Sequence, residues 1–451
     1  MPRIYRALTI AGSDSGGGAG IQADLKTFAA LGVHGMSVVT SITAQNTTSV
    51  TAIQDVNPDI VRAQLEAVVS DIGVDAAKTG MLHTKEIIEV VAAEIQHHHL
   101  RTVVDPVMIS KSGARLLRPD AVSALVEKLL PHAEVVTPNA PEASALSGIE
   151  VKDRETAEES AKRIAGLGVK AVVVKGGHIP SQGKVSDILY EDGKVHLFEV
   201  EELSTRTTHG TGCTYSSAIA AYLAKGLEIP DAVYLAQQFV HEAIRFGIPV
   251  GQGHGPVNPL ASLYAEAERW AVLNNLSSAV KLLEDCDEVA RVIPEVNSNL
   301  AMISTYAIDA DDVAGIPGRI VRVSTGVKAM SCPTFGGSRH VANTILAAHA
   351  HNADVRAAMN IRYSEQTLYK LREFGWVASA YDRRKEPPEV KSMEGMTTRW
   401  GAEEAIKSAG RVPDAIYHDG DWGKEPMITI LGRDAVEVVE RVIRIAKSLT
   451  D

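Results

Sequence analysis

The sequence predicts an α/β protein of two domains: a larger one whose sheet is covered by helices on both faces, and a smaller one of layered type. Three observations predict this. Short β-branched runs alternate with longer Ala/Leu/Glu segments over roughly the first 250 residues, the pattern of a mostly parallel sheet. At 451 residues, the chain is about three times an ordinary domain. A Gly/Pro-rich stretch, 251–259, then interrupts the periodicity before a second α/β series begins.

The first series contains several strand candidates, of which four are given as examples, and one hairpin. These four are β-branched runs between segments of helical spacing: Arg6–Ala11, Val103–Asp105, Val135–Thr137 and Ala171–Lys175. Asp192 and Gly193 stand between two apolar runs within 188–198, which is a strong hairpin signal because this dipeptide favours a tight turn. We therefore expect a mostly parallel sheet with an antiparallel flap or edge.

The second series begins after a continuously helical segment from about Leu260 to Ala290. Six strand candidates follow: Leu300–Ile308, Arg319–Val323, Ala353–Asn360, Gly375–Ala380, Ala415–His418 and Met427–Leu431. An amphipathic helix, Ala435–Ser448, ends the chain. We expect a domain at 1–260, a linker or the start of a connecting helix at 261–271, and a second domain at 272–451.

Composition excludes several classes of protein. A net charge of −11 repels polyanions such as duplex DNA, so any anion must be held by a local site. The three cysteines are odd in number and form no C-x-x-C pair, which argues against a disulfide framework or a zinc site and favours a reducing cytoplasm. We see neither a leader nor an apolar run near the ~18 residues of a membrane helix. We expect a cytoplasmic protein without nucleic-acid or membrane partners.

A glycine-rich segment, 11–20, lies between the first strand and a helix, where exposed backbone N–H groups could face a ligand. It fits neither the P-loop nor the Rossmann pattern, and a flexible turn is the alternative. On the helix that follows, Asp24 lies at the edge of an apolar stripe, where a carboxylate needs a partner. That partner is either a salt-bridging or capping group, or an amino-heterocycle that donates hydrogen bonds to Asp24.

A second anion-binding segment, 208–214, precedes an Ala/Leu-rich helix. The backbone amides from Gly210 to Cys213 would form an anion-binding helix N-terminus. A thiol in that position should have its pKa lowered from ~8.5 toward neutrality, which makes Cys213 a plausible general base. A buried cysteine at a helix start is the alternative.

Seven segments in this order resemble the hydroxymethylpyrimidine/phosphomethylpyrimidine kinases of thiamine biosynthesis, which are members of the ribokinase superfamily. They are 11–27, 44–47, 78–81, 104–108, 137–142, 174–178 and 209–214, and the match spans roughly residues 4 to 260. The resemblance implies a ribokinase-like fold and ATP-dependent phosphorylation of 4-amino-5-hydroxymethyl-2-methylpyrimidine and then of its monophosphate, giving the diphosphate. Pyridoxal kinases are close relatives, so pyridoxal is an alternative substrate.

The resemblance also assigns roles to individual residues. It implies contacts to the pyrimidine from Gly12, Asp24, Gln45 and Met81, and to ATP or its phosphates from Asn139, Lys175 and Thr208. It implies magnesium at Asp105 and Glu142, directly or through water, and an anion hole at Gly210, Thr211 and Gly212. Ribokinase-like sugar kinases usually carry aspartate at the position of Cys213, whereas cysteine is expected in the pyrimidine-kinase branch.

Two segments of the second half suggest another anion site. A Gly/Pro turn precedes Arg319, and the strand spacing puts Arg319 and Arg322 on opposite faces. A glycine-rich loop then enters a helix with Arg339 and His340 in its first turn. Cations there oppose the helix dipole by ~0.3–1 kcal/mol each, which favours a bound anion; a charged surface turn is the alternative.

These segments, with 354–363 and 417–423, resemble the archaeal-type thiamine-phosphate synthase domain over most of 272–451. The resemblance implies that the diphosphate condenses with hydroxyethylthiazole phosphate and releases pyrophosphate, with Arg319 and His340 as the functional pair and Arg322, Arg339 and Asn343 as neighbours. A ligand-sensing module and a dimerisation element are the alternatives, and the adjoining kinase favours the synthase. We expect small-molecule substrates and a homo-oligomer, most simply a dimer.

Overall fold

The computed structural model describes residues 3–109, 113, 116–179, 183–391 and 396–449. The chain divides after Ser262 into two compact units, and each is described by itself. Among the helices in the described ranges, none combines the length and the apolar character needed to cross a membrane.

The described part of the first unit contains nine strands: β1 (Arg6–Asp14), β2 (His34–Gln45), β3 (Val50–Asp55), β4 (Ala76–Thr79), β5 (Thr102–Val104), β6 (Val135–Val136), β7 (Ala171–Val174), β8 (Lys184–Glu191) and β9 (Lys194–Glu201). They form one sheet in the order β3-β2-β1-β4-β5-β6-β7-β8-β9. Six strands run parallel to one another: β2, β1, β4, β5, β6 and β7. The other three, β3, β8 and β9, run antiparallel to their neighbours. The predicted parallel sheet with an antiparallel edge is confirmed.

The hairpin formed by β8 and β9 turns at the predicted dipeptide. Asp192 and Gly193 both adopt positive φ, 47° and 78°, as a two-residue turn of this kind requires. The long strand β2 was not predicted, because its Gly, Ser and Thr residues hide the alternation of apolar side chains.

Helices of the first unit cover both faces of the sheet: α1 (Gly20–Ala30), α2 (Pro58–Asp71), α3 (Lys85–His97), α4 (Ala121–Ala124), α5 (Ala140–Ser147), α6 (Arg154–Ala165), α7 (Thr211–Ala224) and α8 (Ile229–Arg245). Because side chains alternate along a strand, each central strand contributes to two cores. Val104 and Val136 pack in the core that includes α2, α3 and α6. Val103 and Val135 pack in the opposite core with α1, α7 and α8.

The described part of the second unit contains nine more strands: β10 (Leu300–Ile303), β11 (Val313–Gly315), β12 (Ile320–Arg322), β13 (Val327–Ala329), β14 (Thr334–Phe335), β15 (Ala357–Arg362), β16 (Ala378–Ala380), β17 (Ala415–His418) and β18 (Met427–Gly432). Seven form a sheet in the order β14-β11-β10-β15-β18-β17-β16, and β12 and β13 form a separate pair. This confirms a second, smaller α/β fold.

The helices of this part of the chain are α9 (Ala261–Glu284), α10 (Arg339–His351), α11 (Glu365–Glu373), α12 (Pro388–Lys391), α13 (Met396–Ala409) and α14 (Ala435–Ser448). Helix α9 starts inside the segment predicted as a linker or connecting helix, and α14 has the predicted bounds. The predicted strand Leu300–Ile308 is wrong beyond Ile303. After Ile303 the chain turns away from the sheet. There the carboxylate of Glu268 accepts hydrogen bonds from the Ser304 hydroxyl at 3.1 Å and from the Thr305 backbone N–H at 2.8 Å.

Candidate functional site

The glycine-rich loop after β1 is folded around the carboxylate of Asp14. This carboxylate accepts hydrogen bonds from the backbone N–H groups of Gly16, Gly18 and Ala19 at 2.8, 3.1 and 2.8 Å. Burial would raise the pKa of Asp14, but hydrogen bonds from His209 and from the backbone of Ala19 and Gly16 lower it. Because three of its amides are used by Asp14, the loop is not the outward-facing anion site that the glycine pattern suggested.

A second loop, 208–210, is held against the first. The Nε2 atom of His209 lies 2.9 Å from Oδ2 of Asp14. Gly210 has φ +82°, and a β-carbon on it would overlap the carbonyl oxygen of Gly18. Glycine is therefore required at 210 both by backbone conformation and by the close approach of the two loops.

Helix α7 starts at Thr211, immediately after this contact. In the part of the chain that the structure describes, no side chain caps its N-terminus, so the amides of Gly212 and Cys213 can face a ligand. Thr208 shapes the entry to the helix, because its carbonyl oxygen accepts a hydrogen bond of 2.8 Å from the Thr211 hydroxyl. The start of α7 is the segment for which an anion hole is predicted.

A lysine and two carboxylates lie next to the start of α7. The Nζ atom of Lys175 lies 2.9 Å from Oδ1 of Asp105, which also accepts a hydrogen bond from Thr137 at 3.1 Å. A β-carbon on Gly212 would lie 3.4 Å from Lys175 Nζ and 3.6 Å from Asp105 Oδ2. Burial disfavours the charge of Lys175, but Asp105 and Glu142 outweigh it and raise its pKa.

Glu142 joins this cluster through a capping box at the start of α5. Its backbone N–H donates to the side-chain oxygen of Asn139, and the backbone N–H of Asn139 donates to its carboxylate, both at 2.9 Å. Burial raises the pKa of Glu142 to about 7. The side-chain oxygen of Asn139 is thus occupied by the helix cap, and the backbone of Asn139 pairs with Lys175.

Three residues predicted to contact the pyrimidine lie around the ends of β1, β2 and β4. Met81 is buried, and a β-carbon on Gly12 would lie 3.2 Å from its sulfur. Gln45 is half-buried, with Nε2 3.3 Å from His209 Nε2. Gln45 therefore connects this region to the anion-hole loop.

Asp24, the fourth predicted pyrimidine contact, does not face a ligand. Both it and Lys78 are fully buried, and each carboxylate oxygen of Asp24 lies 3.0 Å from Lys78 Nζ. Asp24 also accepts hydrogen bonds from Thr9 at 2.6 Å and Ser217 at 2.7 Å. The structure shows the salt-bridge alternative, because a carboxylate with no exposed surface and four such contacts has no position left for a heterocycle.

The predicted lowering of the Cys213 pKa is also wrong. Burial raises the pKa of its thiol to about 11, although Lys78 and a hydrogen bond from the Gly20 N–H oppose the increase; Asp24 and Asp105 add to it. The helix N-terminus is present as predicted, but desolvation of the thiolate outweighs the favourable dipole.

In the second unit, strand direction collects polar residues at one edge of the sheet. Strands β11, β15, β16 and β17 all run the same way, so their carboxyl ends share an edge. Asn299, just before β10, accepts a hydrogen bond of 3.0 Å from the Ile316 N–H and donates one of 2.8 Å to the Ile316 carbonyl. The Asn360 side chain accepts a hydrogen bond of 2.7 Å from the Asn299 N–H. The two asparagines therefore support the turn that leads to Arg319.

Arg319 lies in that turn, ahead of β12 rather than in a strand as predicted. Its φ is +73°, and its guanidinium donates a hydrogen bond to the carbonyl of Val296. Arg322 donates instead to the carbonyl of Ile293, at 2.7 Å. The two arginines thus have separate partners within the segment 293–296, and because Arg319 is outside the strand, these contacts do not test the predicted opposite orientation.

His340 is exposed in the first turn of α10, beside Arg339. A β-carbon on Gly315 would lie 2.7 Å from the β-carbon of Ser338, so the turn before Arg319 packs against the residue that precedes α10. The segments that carry the predicted functional pair are therefore in contact at Gly315 and Ser338.

Sequence reasoning missed three supporting residues, Asp14, His209 and Lys78. Lys78 had a visible signal, since it stands within a four-residue strand that is otherwise apolar or Thr. A charged residue in such a strand requires a buried partner. Asp14 and His209 had none, because the contact between them joins positions 195 residues apart.

The fold and this site define an α/β kinase of the ribokinase-like class: a helix N-terminus without a cap faces a lysine and two carboxylates at the carboxyl edge of a parallel sheet. The profile of the family described as phosphomethylpyrimidine kinase matches residues 14–258, and the chain belongs to that family. The profile described as thiamine-phosphate synthase ThiN matches residues 275–444. The chain thus combines a unit of the phosphomethylpyrimidine kinase family with a second segment similar to thiamine-phosphate synthase ThiN.

Relatives match the kinase unit over nearly its whole length. A hydroxymethylpyrimidine/phosphomethylpyrimidine kinase of Rhizobium meliloti is 51% identical over 255 residues, which cover 56% of this chain and 96% of that protein. The thiamine biosynthesis bifunctional protein ThiED of Geobacter sulfurreducens is 50% identical over 252 residues. That match covers 56% of this chain and 51% of ThiED, so the chain spans about half the length of this relative.

Two solved structures share the fold of the first unit. A pyridoxal kinase of Bacillus subtilis in complex with ADP is 44% identical, with a TM-score of 0.54, covering 57% of this chain and 97% of that one. A pyridoxal kinase of Staphylococcus aureus in complex with AMP-PCP and pyridoxal is 37% identical, also with a TM-score of 0.54, covering 58% and 95%.

We predict that Gly210→Ala disrupts the loop contact, because the added methyl group overlaps the carbonyl oxygen of Gly18. Gly226→Ala is the matched control: Gly226 follows the same helix, has φ +89°, and has nothing within 4 Å of an added β-carbon. Left-handed strain alone costs about 1–2 kcal/mol. Hydrogen exchange of the β1 and α7 amides should show a larger loss of stability for Gly210→Ala; equal losses would contradict the contact.

We predict that the free thiol of Cys213 reacts slowly with iodoacetamide at neutral pH. Because the pKa is about 11, the rate should rise about tenfold per pH unit from pH 7.5 to 10. The measurement uses mass spectrometry on a Cys332→Ser variant, which removes the exposed cysteine. The denatured chain is the control, and its rate should level off near the ordinary thiol pKa of ~8.5. Levelling below pH 9 in the folded protein would disprove the raised pKa.

Proposed function

We propose that the first unit phosphorylates 4-amino-5-hydroxymethyl-2-methylpyrimidine with ATP and then phosphorylates the resulting monophosphate to the diphosphate. The observation that carries the proposal is the position of Gly212, whose added β-carbon would lie within 3.6 Å of both Lys175 and Asp105. Developing charge on a transferring phosphoryl group would meet helix amides and the lysine at one point. The choice of ATP is supported by the Staphylococcus aureus pyridoxal kinase complex with AMP-PCP.

Magnesium fits the residues that are present. Oδ1 of Asp105 is engaged by Lys175 and Thr137, whereas its Oδ2 faces the start of α7, 3.6 Å from the position of a β-carbon on Gly212. Among the residues described, no group of three acidic, histidine or cysteine side chains could hold an ion by itself. This suits an ion held mainly by phosphates and water, with Asp105 and Glu142 as ligands, directly or through water. Magnesium, when bound, neutralises charge on the phosphates.

Cys213 would receive the proton of the substrate hydroxyl. The hydroxyl oxygen forms the new bond to phosphorus, the bond to the ADP oxygen breaks, and the thiolate takes the proton. Because the pKa of the free thiol is raised to about 11, the thiolate is a minor species at neutral pH. Gly12, Gln45 and Met81 would hold the pyrimidine, whereas Asn139, Lys175 and Thr208 would serve the nucleotide side.

The second unit would condense the diphosphate with hydroxyethylthiazole phosphate. The thiazole nitrogen supplies the electron pair for the new carbon–nitrogen bond, the carbon–oxygen bond to pyrophosphate breaks, and pyrophosphate leaves. Arg319 would stabilise the charge of the leaving group and His340 would donate to it. The shared sheet edge and the contact between the Arg319 and His340 loops support this assignment.

Two observations favour a second substrate for the kinase unit. Pyridoxal kinases with TM-scores of 0.54 are 44% and 37% identical to this chain. Pyridoxal and the pyrimidine alcohol both present a hydroxymethyl group on an aromatic nitrogen heterocycle. Competition between the two alcohols, followed by the rate of ADP formation, tests which one the site prefers.

One coupled assay tests both activities. Purified protein is given the pyrimidine alcohol, thiazole phosphate, ATP and magnesium, and each phosphorylated product is separated. We expect thiamine phosphate. A reaction that stops at the diphosphate would favour the ligand-sensing or dimerisation alternative for the second unit.

We predict that Cys213→Ala lowers kinase kcat by about 10²–10⁴-fold while the KM for the pyrimidine alcohol changes little, since a positioned base acts in the transition state. Supplying the pyrimidine diphosphate directly is the internal control, and thiamine phosphate formation from it should remain at the parent rate. Parent-level phosphorylation by the alanine variant would remove Cys213 from this role.

We predict that Arg319→Ala has the reverse effect of Cys213→Ala: it impairs condensation and leaves phosphorylation intact. Condensation should fall by about 10²–10³-fold, because one preorganised donor to the developing charge is lost, while phosphorylation of the alcohol is unchanged. Arg322→Ala is the matched control, since Arg322 donates to the Ile293 carbonyl in the same loop region. Equal losses in the two variants would mean that the region needs positive charge without using Arg319 in particular.

A further inference from the structure

The ion pair of Lys78 and Asp24 is the most deeply buried charged contact of the first unit's described residues: both side chains have no exposed surface. Lys78 lies on β4 and Asp24 on α1. The hydroxyl groups of Thr9 and Ser217 complete the coordination of the carboxylate. Burial alone would lower the pKa of Lys78, but Asp24, Cys213 and Asp105 together outweigh burial and raise it.

Stability does not explain why this pair is there. Replacing a buried ion pair with apolar side chains of similar volume is often neutral or stabilising, because desolvation of two charges offsets their attraction. The surrounding core contains apolar side chains such as Phe28 and Val103. A fully desolvated pair in such a core indicates a use for its charges.

The geometry connects this pair to Cys213. Ser217 lies one helical turn after Cys213 on α7, so the two side chains share a face of the helix. The Ser217 hydroxyl donates to Asp24 at 2.7 Å. A β-carbon on Gly80 would lie 2.9 Å from Lys78 Nζ and 3.0 Å from the Ala11 β-carbon, which places the ammonium group just after the end of β4 and near Ala11 of β1. Through Ser217, the buried pair therefore lies next to the helix face that carries Cys213.

Four charged groups act on Cys213. Lys78 and Asp24 act from the interior, and Asp105 and Lys175 act from the carboxyl edge of the sheet. Lys78 favours the thiolate, whereas Asp24 and Asp105 disfavour it. The two interior charges thus oppose each other in their effect on the thiol.

We propose that Lys78 and Asp24 are positioning residues whose opposed charges set the proton affinity of the Cys213 thiol. The pair acts through Cys213 and touches neither substrate nor nucleotide. The importance of this effect for catalysis rests on the proposed role of Cys213 in the kinase. The proton affinity of the thiol can nevertheless be measured in the protein without substrate.

The test measures the titration midpoint of Cys213 in the full chain carrying Cys286→Ala and Cys332→Ser. The ultraviolet absorbance of the thiolate is recorded after a rapid pH jump, and the same protein with Cys213→Ala supplies the baseline. Lys78→Met should raise the midpoint and Asp24→Asn should lower it, each by about one pH unit or more, as expected for a nearby charge. Lys85→Met, which removes an exposed lysine paired with Glu89, should leave the midpoint unchanged.

Two outcomes would overturn the proposal: midpoints that do not change, or midpoints that move in the same direction in Lys78→Met and Asp24→Asn. Opposite shifts are expected only if the two charges act on the thiol, and a purely structural pair would not produce them. If neither single variant folds, Lys78→Met/Asp24→Leu takes over the test. Its midpoint should differ from that of the parent, because the proposal has these two charges set the proton affinity of the thiol, and an unchanged midpoint would contradict us.

The kinase pH profile distinguishes this inference from the proposed function. If Cys213 is the base, the rise of kcat/KM with pH should shift with the titration midpoint in each variant. If the midpoints shift but the pH profile of kcat/KM does not, the pair still sets the proton affinity of the thiol, but Cys213 is not the base. A parent protein that phosphorylates neither alcohol would contradict the proposed function and leave the midpoint test intact.

Discussion

The carboxylate of Asp14 is the group on which the kinase site depends. It gathers three backbone N–H groups of its own loop and the ring of His209, which comes 195 residues later in the chain. A buried carboxylate is tolerated only when such donors are present. Because losing any one of these hydrogen bonds would be destabilising, the donor groups are held in position. The loop before α7 is thereby fixed against the loop after β1, and the first amides of α7 remain available to an anion.

Strand direction explains why the remaining groups meet there. Asp105 follows β5, Asn139 follows β6 and Lys175 follows β7, and these strands run parallel. Open α/β sheets bind ligands beyond the carboxyl ends of their strands for this reason. The second unit reaches a similar result with a mixed sheet, because four of its strands run the same way. Under the proposed function, both sites would hold anions locally in a chain of net charge −11.

Much of the fold could be predicted because strand and helix periodicity are local properties. The hairpin at Asp192 and the terminal helix from Ala435 follow from neighbouring residues alone. The candidate site was predictable where ordered motifs mark backbone geometry, as at Gly210. It was not predictable where tertiary burial decides the chemistry. The helix start at Cys213 indicated a lowered pKa, and the acidic residue at 24 indicated a ligand contact. Desolvation reversed the first, and Lys78, brought by a different strand, reversed the second.

The close approach of Gly18 and Gly210 has a consequence for how this site can change over time. Two stretches far apart in the sequence touch through their main chains, where no side-chain exchange can relieve a misfit. A mutation in either loop is therefore acceptable only if the other loop still fits against it. We expect the sequences of the two loops to change slowly and together. New substrate preferences would more readily arise at positions such as Gln45 and Met81, whose side chains can vary while the frame around them stays the same.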